Sequence, residues 1–291
     1  MEVQWSLVLF TLFVCLGAGT FAGTGLLTVL GKGEKLQVPA IIISVIAVVI
    51  GGFASFTHLQ HWDRLFNGFG NPTSGITQEL IGIVVFVILA VVFFVVACRG
   101  KTPVWAGVLA LIAGLGLVLV MTQSYMMSAR PVWSTPLLHL FYLAQAVVSG
   151  GAMLWLLGII TKVEDGAQII NTRITALGGI LVIISLFAYV AYVGSVSFPT
   201  VGNYFDPTNP TKPMADTSGF VGTLLSGDLA AYFWIAVIIG GAVAAVLGIL
   251  QWSKPKSTVG FAAVALVCAL GGGIAFRAAL YLMGVSVFAF Y

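Results

Sequence analysis

Largely apolar runs of about 20 residues or more recur along the chain, near 5–30, 38–59, 77–98, 103–127, 134–160, 174–197, 229–252 and 258–285. At a rise of about 1.5 Å per residue, each run is long enough as a helix to cross the roughly 30 Å hydrocarbon core of a bilayer. The intervals carry chain breakers: Gly31-Lys32-Gly33, Asn71-Pro72, Arg99 to Pro103, Arg130-Pro131, Glu164-Asp165-Gly166 and Ser253 to Ser257. This pattern predicts an all-α, polytopic membrane bundle of about eight transmembrane helices, a single integral-membrane domain over residues 1–291. One interval is long, Phe198 to Asp228, with Pro199, Pro207, Pro210 and Pro213 set among Asn, Asp and Thr. Residues 198–228 are read as a Pro-rich loop that either caps the bundle or docks a partner.

Composition names the solvent. With 60% hydrophobic and 7% charged residues and a mean hydropathy of +1.11, the chain lacks the charged surface of a soluble protein this size. The 12 Lys and Arg residues are scattered through loops, so the net charge of +3 forms no basic stripe for nucleic acid. Their distribution does set an orientation. Lys32, Lys35, Arg99, Lys101, Lys162, Arg173, Lys254 and Lys256 fall on one side of the bundle, against Arg64, Arg130 and Lys212 on the other. The positive-inside rule then places both termini and the 198–228 loop outside the cytoplasm. Cys15, Cys98 and Cys268 show no CxxC or Cys/His metal spacing and are expected to be core residues. Met1-Glu2-Val3-Gln4 is no positively charged leader, so the first helix is expected to remain in the mature protein.

Ionisable residues at membrane depth are costly, which makes each a functional candidate. They are His58 at the end of the second run, Glu79 at the start of the third, His139 early in the fifth and Arg277 late in the eighth. Arg277 lies about 28 Å along its helix from Thr258. All four therefore belong to one layer near the outer surface, and the inner half looks inert by comparison. The plainer alternatives are a snorkelling Arg277, a Glu79 that favours a helix N-terminus and a core His139.

The chemistry open to this layer is narrow. There is no Ser/His/Asp or Cys/His arrangement, no P-loop and no dinucleotide fingerprint. What remains is a pocket at the apolar–aqueous boundary, holding a histidine that exchanges protons near neutral pH, a carboxylate and an arginine. That combination suits a lipid-soluble quinol. With only His58, His61 and His139, two bis-histidine haems are excluded, and no haem is expected in this chain.

His58-Leu59, then Arg64-Leu65-Phe66-Asn67, then Glu79-Leu80 opening the next helix, resembles the membrane-anchor subunit of dimethyl sulfoxide reductase-type respiratory enzymes. The eight-helix layout, the external termini, and Gly272-Gly273-Ile274-Ala275-Phe276-Arg277 with Tyr281 in the last helix are similar to that family too. The resemblance implies a haem-free anchor in the bacterial cytoplasmic membrane that oxidises menaquinol toward the extracytoplasmic face. It would pass electrons to an iron–sulfur subunit and thence to a molybdopterin catalytic subunit, which holds the terminal substrate's site. By position in the motif, His58 is the proton acceptor and quinol ligand, Arg64 and Asn67 shape the loop over the pocket, and Glu79 orients the histidine or carries protons away. Arg277 joins them on geometric grounds, as a charge partner for Glu79 or an anchor for a quinol oxygen, with His139 a further candidate. The competing readings are a small-solute transporter or channel and a purely structural anchor.

Overall fold

A computed structural model describes residues 2–57, 70–127, 130–195, 219–254 and 258–284. Its elements are helical. They are α1 (Trp5–Val29), α2 (Glu34–Phe56), α3 (Gly75–Cys98), α4 (Val104–Tyr125), α5 (Leu137–Ile160), α6 (Asp165–Ser195), the short α7 (Phe220–Leu225), α8 (Ala230–Trp234), α9 (Ala244–Leu250) and α10 (Val259–Met283). A π-helical stretch, Ile235–Val243, joins α8 to α9 as one continuous span. Among the described residues, eight helices are long and apolar enough to cross a membrane, as the apolar runs predict. An even number of alternating spans puts the start of α1 and the end of α10 at the same end of the bundle, called here the termini end.

Helix α1 is the axle of the bundle, with 83% of its apolar window buried, whereas α3, at 17%, is the most lipid-facing span. The axle can be central because small residues let its neighbours come close. Where α1 crosses α5, a Cβ on Gly150 would stand 2.6 Å from the Gly19 carbonyl oxygen, so backbone packs on backbone. The π-helical stretch meets α10 in the same way, since a Cβ on Gly240 would lie 2.7 Å from the Gly272 Cα. Around these crossings lies a core built largely of Phe, Leu, Val and Ala, including an edge-to-face pair of Phe21 with Phe86 at 5.1 Å.

Three features differ from the sequence reading. The sixth span begins at Asp165, nine residues before the apolar run, because its first turns bury polar side chains against α5. There Asn171 Nδ2 donates to the Leu154 carbonyl at 3.1 Å and Gln168 Nε2 to that of Trp155 at 3.3 Å. The end opposite the termini is accordingly not inert: Gln37 Nε2 donates to Thr28 at 3.1 Å, the Thr102 hydroxyl donates to Gln37 at 2.6 Å, and the Gly33 amide donates to Glu164 at 2.6 Å. These bonds tie three loops together, and a scan for ionisable groups passes over them because they are mostly neutral amides and hydroxyls. Finally, Cys15 alone of the three cysteines is fully buried; Cys98 is exposed and Cys268 half-buried.

Of the 198–228 interval, residues 198–218 lie outside the described part. The remainder is not plain loop, for α7 packs Leu224 into the core and its Leu225 carbonyl accepts a 3.0 Å hydrogen bond from Trp234 Nε1.

Candidate functional site

The termini end holds a buried polar and aromatic cluster built from α1, α3, α4, α5, α10 and the α4–α5 connection. Its cationic centre is Arg277 on α10, with no exposed surface. Arg277 Nε donates to the Thr11 hydroxyl at 2.8 Å, Nη1 to the Gly273 carbonyl at 3.0 Å, and Nη2 to the Thr11 carbonyl and the Cys15 sulfur, both at 3.3 Å. The guanidinium also lies 4.8 Å from the ring centre of Tyr142 and 5.6 Å from that of Phe141. Dipoles and π faces thus carry the charge, an arrangement whose value rises in a low-dielectric interior.

Glu79 lies on the other side of the cluster, in the second turn of α3, partly buried, and accepts a short hydrogen bond from the Ser124 hydroxyl at the end of α4. The close seat of Gly75 against Ser124, where a Cβ would stand 2.7 Å away, brings the two helices near enough for this bond. Arg277 and Glu79 are not joined by an ion pair or hydrogen bond among the described residues, so of the two roles expected for Arg277 the charge partnership is not seen there. Arg277 is turned toward α1, with its guanidinium over the Tyr142 ring.

Aromatic residues fill the intervening space. Tyr125 stacks with Tyr142 at 6.3 Å, Trp133 meets Tyr281 edge-on at 5.3 Å, and Tyr125 lies 6.4 Å from Trp133. Tyr125 and Tyr281 are close enough to interact electrostatically. The Tyr281 hydroxyl is buried beside the Tyr125 hydroxyl but makes no hydrogen bond of good geometry among the described residues. A buried hydroxyl left so costs free energy, so it marks a position where a ligand or water atom would be favoured. Arg130 covers this group from the connection, its guanidinium 4.7 Å over Trp133 and its Nη1 donating to the Gly284 carbonyl at 2.7 Å. Partial burial lowers the Arg130 pKa from the ordinary arginine value, and Tyr281 opposes that shift.

Of the residues expected from sequence, Glu79 and Arg277 come into this one layer. His139 is half-buried on α5, one turn before Tyr142, and makes no hydrogen bond among the described residues. His58, Arg64 and Asn67 lie outside the described residues. Sequence reasoning passed over Thr11, Cys15, Tyr125, Trp133 and Tyr142. Three of the tyrosines had a signal: Tyr125, Tyr142 and Tyr281 all fall within two turns of the termini end of their helices, the layer already marked by the ionisable groups.

The fold and site together define a multi-pass membrane protein with a buried polar and aromatic cluster at one end of its bundle. A sequence model of the polysulfide reductase family matches residues 1–199, which include α1 to α6 and, with them, Glu79, Tyr125, Trp133 and Tyr142. The chain belongs to this family, the membrane anchors of molybdopterin oxidoreductases, which work with iron–sulfur and molybdopterin catalytic subunits. Arg277 and Tyr281 lie beyond the matched segment. A comparison with curated proteins finds no match.

Proposed function

We propose that this chain is the quinol-oxidising membrane subunit of a molybdopterin reductase of the dimethyl sulfoxide reductase type, taking electrons from menaquinol at the termini end. The observation that carries this reading is the buried layer itself. A carboxylate, a buried arginine and a buried tyrosine hydroxyl without a well-formed hydrogen bond surround an aromatic cluster within the membrane span. Aromatic walls suit a planar ring, and the few polar atoms suit the two oxygens of a quinol.

Oxidation of the quinol to the quinone releases two electrons and two protons. Glu79 takes a proton from the substrate oxygen and, with His58 in the segment after α2, delivers it toward the extracytoplasmic side. Arg277 and Tyr281 hold the oxygen as its charge changes. The electrons leave to the iron–sulfur subunit, whose clusters feed the molybdopterin subunit. Arg64 and Asn67 close the pocket in this reading, and His139 lines its α5 side.

The test is a titration of the purified chain with a fluorescent quinol-site inhibitor, wild type against His58→Ala and Tyr281→Phe. Saturable binding that weakens in both variants is expected. No specific binding to a folded wild type would overturn the quinol reading.

A further inference from the structure

Between α3 and α4, on the lipid-facing side, the structure holds an open groove of about 480 Å³ whose walls are almost wholly apolar. Its lining runs from Gln78 through Gly82 and Val85 to Leu89 on α3 and from Leu109 through Gly116 to Val120 on α4. Twelve residues of helix on each side, at about 1.5 Å per step, give a length of about 16 Å, half the hydrocarbon core. The volume falls in the range of about 300–1,000 Å³ usual for small-molecule sites.

Two observations bear on the kind of chain it would hold. First, the groove is continuous with the polar layer. Gln78 at its end is the chain neighbour of Glu79, and Val120 is one turn below Ser124, so the groove ends beside the Glu79–Ser124 pair. Second, the walls are notched. A Cβ on Gly116 would meet nothing within 4 Å, and one on Gly82 would make only ordinary contact, 3.4 Å from Leu117. Neither glycine is required by helix–helix contact in the way Gly150 or Gly240 is. Recesses of this size accept methyl branches, which a polyprenyl chain carries at every unit and a straight acyl chain lacks.

We propose that the α3–α4 groove binds the polyprenyl tail of the quinol, guiding the ring past Gln78 to Glu79 and the tyrosine cluster. The proposal rests on the quinol reading, and it makes chain length a determinant of affinity at a place remote from the chemistry. Binding energy gained along the tail is the same in ground and transition states, so it lowers KM and leaves kcat alone.

The experiment uses the intact reductase complex in nanodiscs of fixed lipid composition, with two quinols sharing one ring, one bearing a single isoprene unit and one a long tail. Gly116→Phe fills the groove. Gly52→Phe on α2, where an added Cβ likewise meets nothing, is the control. The expected result is a rise of about tenfold in KM for the long-tailed quinol with Gly116→Phe, kcat unchanged, no change for the short-tailed quinol, and no change for either with Gly52→Phe. Equal effects on both quinols, or none on either, would overturn the proposal while leaving the quinol reading intact. A phospholipid retained by the wild type and lost from Gly116→Phe, with both KM values unchanged, would assign the groove to lipid and overturn it too. Turnover of neither quinol by the wild type would overturn the quinol reading itself.

Discussion

Arg277 of α10 donates from Nε to the hydroxyl of Thr11 on α1 at 2.8 Å, tying the last membrane span to the first across 266 positions of sequence. The same guanidinium reaches the Thr11 carbonyl and the Cys15 sulfur, so the cluster's cation is held by α1. The carboxylate on α3 is held separately, by α4.

Arg277→Lys keeps a charge but cannot reproduce the fork that meets Thr11, Cys15 and Gly273 together. Hydrogen bonds to charged groups are worth about 1.5–3 kcal/mol each, so a loss of thermal stability of that order is expected, with quinol-linked reduction falling further. Thermal unfolding in detergent, beside turnover of the complex, reads both. A variant as stable and active as wild type would remove Arg277 from the site.

Because Glu79 and Arg277 have separate partners, exchanging their charges should not restore function. The double variant Glu79→Arg, Arg277→Glu is expected to be damaged by at least the sum of the single losses. A double mutant healthier than either single one, measured by yield of folded protein, would show that the two are coupled after all.

Tyr281→Phe separates a ligand-facing role from a structural one. Its hydroxyl sits beside that of Tyr125 without a hydrogen bond of good geometry among the described residues, so its removal should change stability by no more than about 1 kcal/mol. If the hydroxyl meets a substrate oxygen, KM for quinol rises by about tenfold at unchanged stability. Unaltered kinetics would withdraw Tyr281 from substrate binding.

Glu79→Gln keeps an acceptor for the Ser124 hydroxyl but not a proton-accepting carboxylate. Assembly with the partner subunits should persist, while quinol-linked reduction drops by about 10²-fold, the lower range for loss of a positioned acid or base. Reduction by an artificial donor that bypasses this chain should be untouched, and a parallel loss there would point to misassembly instead.

Gly272→Ala tests the crossing that seats α10. The added methyl meets the Gly240 backbone, so α10 and the π-helical stretch must separate, at a cost of about 1–3 kcal/mol. Gly116→Ala, in open space, should be neutral. Similar melting temperatures for the two would argue that the contact is not tight in the membrane.

Depth was legible in the sequence. Runs of apolar residues long enough to span a bilayer mark eight helices, and the fixed rise per residue puts Glu79, Tyr125 and Arg277 at one level without any knowledge of packing. Direction around each helix was not legible. These spans are apolar nearly all round, so no polar stripe says which side of α10 faces α1 and which faces α3. Tertiary packing therefore decided that Arg277 turns to Thr11 and Cys15, that Glu79 is bonded to Ser124 instead, and that Asn171 and Gln168 extend α6 past its apolar run. Hydrophobicity fixes how far a residue lies into the membrane, whereas the close approach of backbones at glycines such as Gly19, Gly150, Gly240 and Gly272 fixes what it meets there.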